Sequence, residues 1–243
     1  MPDLLLLLLL LAVSFFYSSI GHGGASGYIA VFTLLNLSVA VVRPSALLLN
    51  VFVSGISFFL YYKAGHFKWK LFYPFALLSV PMAYAGSFIE LDDTWYKRIV
   101  GVCLVVAVLR IIGFLDPKEA KPDREIPLAA GLLIGGALGF LSGMIGIGGG
   151  IILSPIILLF RWGTLKETAA VSALFIVVNS LAGILGLINQ KVNWPVEITF
   201  WIPVVVVGGF AGAYWGSRHA GNIALKYVLS LVLFFAALKL ILI

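Results

Sequence analysis

Charge is what this 243-residue chain has least of. Asp, Glu, Lys and Arg make up 11% of it against 62% for hydrophobic residues, and its mean hydropathy is +1.11. A soluble domain carries about a quarter charged and about half apolar residues. A water-soluble fold is therefore excluded, and the medium of this chain is the lipid bilayer. A single cysteine is present, Cys103 in an apolar run, which makes neither an internal disulfide nor a thiolate metal site. No Asp or Glu falls deep within an apolar segment: Glu90, Asp92, Asp93, Glu167 and Glu197 all lie near segment ends. Cation carriers and proton pumps generally need a buried carboxylate, so a metal or other cation is disfavoured as the solute. P-loop, Gly-x-Ser-x-Gly and His-Glu-x-x-His patterns are absent, and no nucleophile–base pair lies within the spans. The chain is not read as an enzyme, and no cofactor is expected. Its 16 Lys and Arg exceed its 10 Asp and Glu, but no basic stripe interleaves with exposed aromatics, so nucleic acid is set aside as a partner.

What the chain does have is long apolar runs and 26 glycines. The densest glycine stretch is Gly143-Met144-Ile145-Gly146-Ile147-Gly148-Gly149-Gly150, with apolar sequence before it and after it. Glycine lets backbone turn sharply or approach another group closely, so the stretch reads as a break in a membrane helix. Irregular backbone at membrane depth is tolerated only where protein or a water-filled cavity satisfies its polar groups. The pattern occurs twice. A shift of 125 positions lays Ile145-Gly146-Ile147-Gly148-Gly149-Gly150 on Ile20-Gly21-His22-Gly23-Gly24-Ala25. The same shift lays Asn179 on Ser54 and Val192-Asn193-Trp194 on Phe67-Lys68-Trp69. With small insertions, Ala211-Gly212 falls on Ala85-Gly86, and Lys226 and Lys239 fall on Lys97 and Arg110. Such an echo marks a duplicated half, as in many secondary transporters.

The expected fold is an all-α polytopic membrane protein of two inverted-topology repeats, each a glycine-broken helical hairpin plus three full spans. Residues 1–115 form the first repeat, 116–126 a polar linker and 127–243 the second repeat. Met1-Pro2-Asp3 and the eight leucines after it read as the start of a retained first helix, since a positive leader and a cleavage site are lacking. The apolar segments are 4–20, 28–37, 44–63, 71–90 and 98–115, then 127–144, 151–160, 165–188, 196–217 and 222–243. The two segments of about ten residues cover about half of a hydrocarbon core about 30 Å thick. If each broken unit crosses once, the basic residues divide almost evenly between the faces. If each dips in and returns, or crosses twice, one face collects Lys63, Lys68, Lys70, Arg110, Arg161, Lys166, Arg218, Lys226 and the basic residues of the linker. Positive-inside bias then makes that face cytoplasmic and puts both termini outside, in a bacterial cell (inner) membrane.

In an inverted repeat the two breaks meet near the midplane. Each precedes a half-helix whose first N–H groups lack partners and whose dipole favours an anion. Gly21, His22, Gly23, Gly24 and Ser26, with Gly146, Gly148, Gly149 and Gly150, are therefore candidate binding residues for a small anionic solute. The alternative for the glycines is tight helix packing. His22 either meets the anion or a proton, or bonds a carbonyl freed by the break. Asn50, Ser54 and Ser57 share one helix face by spacing, as do Ser172 and Asn179; Ser180 follows. They form a pore-facing stripe or interhelical glue. Arg43 and Arg161 attract anions to a vestibule or anchor the interface, while Trp69 and Trp194 read as belt aromatics and His66 and His219 as solvated loop residues. The lipid bilayer and a small anion are the expected partners, and a homo-oligomer is compatible with the sequence. The rival reading is a membrane partner or assembly subunit that carries nothing itself.

The duplicated Gly-x-Gly-Gly motif, with Pro155 five residues after Gly150 and a Trp before a later Gly/Ala-rich span, resembles the sulfite exporter TauE/SafE family of bacterial membrane permeases. The resemblance covers essentially the whole chain. The second half matches at Gly146, Gly148, Gly149, Gly150 and Pro155. The first half departs at His22, where an aliphatic residue is usual, at Ala25 in place of the third glycine, and at Ala30 in place of proline. The resemblance implies transport of sulfur-containing anions such as sulfite, sulfonates or thiosulfate, in the direction of export.

Overall fold

The computed structural model describes residues 4–111 and 125–218, together with Phe234, Ala237, Leu238 and Ile241, which are helical. Linker positions 116–124, His219, Lys226, Lys239 and the rest of the expected span 222–243 lie outside the described residues. Among the described residues the chain is all-helical. The helices are α1 (Leu4–Ser19), α2 (Ala25–Leu34), α3 (Val39–Lys63), α4 (Trp69–Ser87), α5 (Asp93–Ile111), α6 (Leu128–Ile145), α7 (Gly150–Leu159), α8 (Leu165–Asn189) and α9 (Ile198–Arg218). By length and apolarity α3, α6, α8 and α9 suffice to cross a membrane. Leu8, Phe59, Leu133, Leu185 and Val207 are among the large apolar side chains left exposed on the outer surface, where lipid tails would cover them.

Several helices begin earlier than their apolar runs, for local reasons. Asp92 accepts from the amides of Thr94 and Trp95 at 2.9 and 3.0 Å, capping α5 five residues ahead of the expected span. α8 instead begins where expected, at Leu165, with Thr164 and Glu167 closing a capping box in which each side chain bonds to the other's backbone N–H. The first break is shorter than expected, because Ala25-Ser26-Gly27 already belong to α2.

The duplication extends to backbone conformation. Gly21 and Gly146 have φ of +76° and +84°, and Gly24 and Gly149 have +94° and +73°, each pair one repeat apart. Beyond the short helices, Asn36 and Arg161 take left-handed conformations at φ +60° and +56°. Leu37 and Trp162 then donate to the carbonyls of Phe32 and Ile157 at 2.9 and 3.0 Å, the Schellman closure of a helix end. α2 and α7 are 10 residues each, and α3 and α8 are 25 each.

α3 and α8 pack together at the centre, with α9 beside α3 and α4 beside α8. At one end Tyr61 of α3 packs with Ala169 and Ala170 of α8. At the other, Arg43 of α3 and Gln190, which caps the end of α8, both donate to Ser87 O, at 2.6 and 3.0 Å. The two helices therefore run in opposite directions. The outer helices are held by glycine. On α6, Gly135, Gly139 and Gly143 lie against the backbone of Phe75, Ser79 and Ala83 in α4. On α9, Gly208, Gly212 and Gly216 lie against Leu11, Phe15 and Ser19 in α1, where Ser18 Oγ also donates to Gly209 O. Spacing by four puts each set on one face, and the missing side chains let backbones touch, which is how helices gain contact in lipid.

Gly55 of α3 differs from all of these. A Cβ there would meet nothing within 4 Å, so Gly55→Ala should raise stability by about 0.5–1 kcal/mol through helix propensity alone. A thermal melt in detergent checks this, and a lowered midpoint contradicts it.

Candidate functional site

Both breaks reach the middle of the bundle. α1 ends level with the far end of α3, where Tyr61 Oη donates to Ser19 O at 3.0 Å. The chain then turns back through Gly21–Gly24, and α2 starts beside Asn50, midway along α3. Asn50 Oδ1 accepts from the Ala25 amide at 3.0 Å, and its Nδ2 donates to Ile147 O in the second break at 3.3 Å. One carboxamide thus occupies the first amide of α2 and a carbonyl freed by the break before α7. Gly23 lies directly against the Asn50 and Ser54 side chains, and a Cβ on Gly148 would meet Asn50 Nδ2 at 2.7 Å and Ile176 Cγ2 at 2.8 Å.

A second link crosses between the halves at His22. Its Nδ1 lies 2.9 Å from Ile20 O, and its Nε2 lies 2.9 Å from Ser154 Oγ on α7. Ser154 Oγ in turn lies 2.8 Å from Ser172 Oγ on α8 and 3.0 Å from Gly150 O. His22, Asn50, Ser54, Ser154 and Ser172 are all buried.

The structure thus gathers His22, Gly23, Gly24, Asn50, Ser54, Gly148, Gly150 and Ser172 around the two breaks, while Gly21 lies against Ala169 at the Tyr61 end of α3. Gly149 packs on Phe175, and Gly146 lies at the Arg43 end of α3. Ser26 is turned aside, its hydroxyl bonded to Tyr17 Oη at 2.7 Å. Asn179 bonds back to Phe175 O of its own helix at 2.8 Å, and its Oδ1 is buried without a partner among the described residues. The Ser54 and Ser180 hydroxyls are buried and unpartnered in the same sense. Buried polar groups in that condition are rare, and a solute offering hydrogen bonds would satisfy them.

Two residues carry more than their sequence positions suggested. Ser154 joins His22 to Ser172, yet its repeat mate is Ile29, so the duplication gave no sign of it. Its place one turn into the half-helix was the available clue. Arg43 is neither free in a vestibule nor a plain anchor. Its Nη2 binds Ser87 O and Gly143 O at 2.6 and 2.8 Å, closing the carboxyl ends of α4 and α6. At the opposite end Lys68 pairs with Glu167 at 2.6 Å. There His66 is held below its ordinary range by partial burial and by the Lys166 ammonium, with Glu167 opposing.

A family model described as Sulfite exporter TauE/SafE matches residues 6–240. The chain belongs to the sulfite exporter TauE/SafE family. A probable membrane transporter protein of Sinorhizobium fredii is 36% identical over 239 residues, covering 95% of this chain and 97% of that one. Probable membrane transporter proteins of Bacillus subtilis and Methanocaldococcus jannaschii are 24% and 26% identical. The first covers 95% of both chains, the second 64% of this chain and 62% of its own. No solved structure matches the chain significantly. Membership makes this a membrane transporter and accounts for the apolar helices. Of the three positions noted above in the first half, His22 bonds to Ser154 of α7, Ala25 bonds to Asn50 through its backbone amide, and Ala30 is buried in the core.

Proposed function

We propose that this TauE/SafE transporter carries a small sulfur-containing oxyanion (sulfite, thiosulfate or a sulfonate) out of the cytoplasm, with the solute binding between the two glycine breaks. The observation that carries the reading is Asn50, which holds the first amide of α2 with one end and a carbonyl of the opposite break with the other. An oxyanion oxygen entering there replaces Asn50 Oδ1 on the Ala25 amide, at a half-helix N-terminus with its favourable dipole. Asn50 Nδ2, released from Ile147 O, becomes a second donor to it. The buried hydroxyls of Ser54 and Ser180 complete the donor set.

The architecture proposed is an inverted repeat, 1–115 and 127–243 joined by the 116–126 linker, each repeat with a hairpin that dips in and returns. The antiparallel α3 and α8 support this, as does the matched packing of α1 on α9 and of α6 on α4. Among the described residues, Lys63, Lys68, Lys70, Arg161 and Lys166 belong to the Tyr61 end, against Arg43, Lys97, Arg98 and Lys191 at the Arg43 end. Positive-inside bias makes the Tyr61 end cytoplasmic and the termini external. A membrane potential supplies about 2.3 kcal/mol per charge per 100 mV to expel an anion.

Flux of labelled sulfite, thiosulfate and a sulfonate into proteoliposomes tests this, with Gly148→Ala alongside. Gly148 has φ +80°, where a side chain costs about 1–2 kcal/mol, and its new methyl meets Asn50 and Ile176. The variant should stay folded and lose flux at least tenfold. Wild-type protein that carries none of the three anions, or a variant that keeps full flux, would end the proposal.

A further inference from the structure

We propose that His22 is a reversible proton-binding site that couples proton movement to anion transport, an inference that rests on the anion-transport reading above. Ile20 O can only accept, so Nδ1 carries a hydrogen in the bond between them. In the neutral ring Nε2 is then an acceptor, and the Ser154 hydroxyl donates to it. When a proton binds at Nε2, that nitrogen becomes a donor to Ser154 Oγ, and the Ser154 hydrogen swings to Gly150 O, 3.0 Å away. Ser172, within 2.8 Å of Ser154 Oγ, donates to it in the neutral state and need only turn in the charged one. Both charge states are satisfied by the rotation of hydroxyl groups, without any helix moving. A histidine that only filled a core position would not need this second arrangement.

The surroundings favour the exchange. The titratable or charged side chains on the elements around the ring are Tyr17 on α1, Tyr28 on α2 and, on α3, Tyr61 and Tyr62 with the cations Arg43 and Lys63 towards its two ends. α7 carries no titratable residue, and α8 carries only Lys166 and Glu167 in its first turn, Glu167 already paired with Lys68. No described carboxylate is therefore placed to trap the proton, and the charge that balances an imidazolium is the transported anion beside it at the Ala25 and Gly150 ends of the half-helices. A divalent anion such as thiosulfate then crosses beside the imidazolium with one net negative charge, so the membrane potential still favours its exit. The proton is taken from the face where the anion loads and released at the other. The second break has Ile147 at the equivalent position, so the stoichiometry is one proton per chain per cycle.

The test loads proteoliposomes with a pH-reporting dye, clamps the voltage with potassium and valinomycin, and adds whichever of thiosulfate, sulfite or sulfonate the protein carries. Wild-type protein should move about one proton per anion, and an imposed pH gradient alone should drive anion accumulation. His22→Gln keeps a donor to Ser154 but binds no proton. Per anion moved it should carry at least tenfold fewer protons, whatever level of anion flux it keeps. Protons brought by sulfite itself are common to both proteins and cancel in the difference. Wild-type anion flux with no accompanying proton flux overturns the inference whether or not the variant folds, as does equal proton coupling in folded His22→Gln. Absence of any wild-type anion flux instead overturns the transport reading on which it rests.

Discussion

Asn50→Ala should abolish transport and lower the stability of the protein markedly. The substitution leaves the Ala25 amide and the Ile147 carbonyl, both now bonded to Asn50, unpaired in a buried site. Each orphaned buried group costs about 1–3 kcal/mol, and the pair is the direct tie between the two breaks. For a chain of this size about 1 kcal/mol shifts the melting midpoint by about 2–4 °C, so a fall on the order of 10 °C is expected in detergent. Asn50→Asp separates binding from folding. Its carboxylate keeps the bond to the Ala25 amide and acts as a tethered anion, while its second oxygen opposes Ile147 O. That variant should melt above Asn50→Ala yet still lose flux at least tenfold. Wild-type flux in Asn50→Asp would remove this residue from the transport path.

Gly139→Leu should prevent the bundle from assembling. A Cβ at that position would run into the backbone of Ser79, with Ser79 Cα at 2.6 Å, and the same holds at Gly143 against Ala83. Backbone cannot yield as a flexible side chain does, so α4 and α6 must separate along a contact that also includes Gly131 and Gly135. Overpacking a tight site typically costs about 1–3 kcal/mol and occasionally more. Here four side-chain carbons press on a carbonyl, and the upper end is expected. The readout is the yield of monodisperse protein after size-exclusion chromatography, with Gly55→Ala as the control in which space is open. A Gly139→Leu protein that elutes and melts like wild type would show that α4 and α6 are not held by this stripe.

These two outcomes divide the glycines in a way their number could not. The sequence marks both breaks and the stripe of α6 as glycine-rich apolar stretches, and packing or binding explains either equally well. Coordinates separate them: Gly21, Gly24, Gly146, Gly148 and Gly149 have positive φ, whereas Gly135, Gly139 and Gly143 are helical and backbone-to-backbone. Arg43 was legible only as a cation near a helix start. That it closes the ends of α4 and α6 depends on Ser87 and Gly143, 44 and 100 positions away. Ser154 had no mark at all, because its chemistry comes from His22, 132 positions away.

The sequence by itself determined the solvent, the helical class, the duplication with its two half-length helices, and the family. Each of these is written in composition, in short-range periodicity or in a fixed-offset repeat, and needs no knowledge of what touches what. Tertiary structure alone decided that one carboxamide would bridge the two breaks, that a histidine in the first half would meet serines in the second, and which hydroxyls would be left unpaired. Those facts arise where α3 and α8 cross, because a hydrogen bond is decided by positions to within a few tenths of an ångström, and helices far apart in the chain reach such positions only when the whole bundle packs.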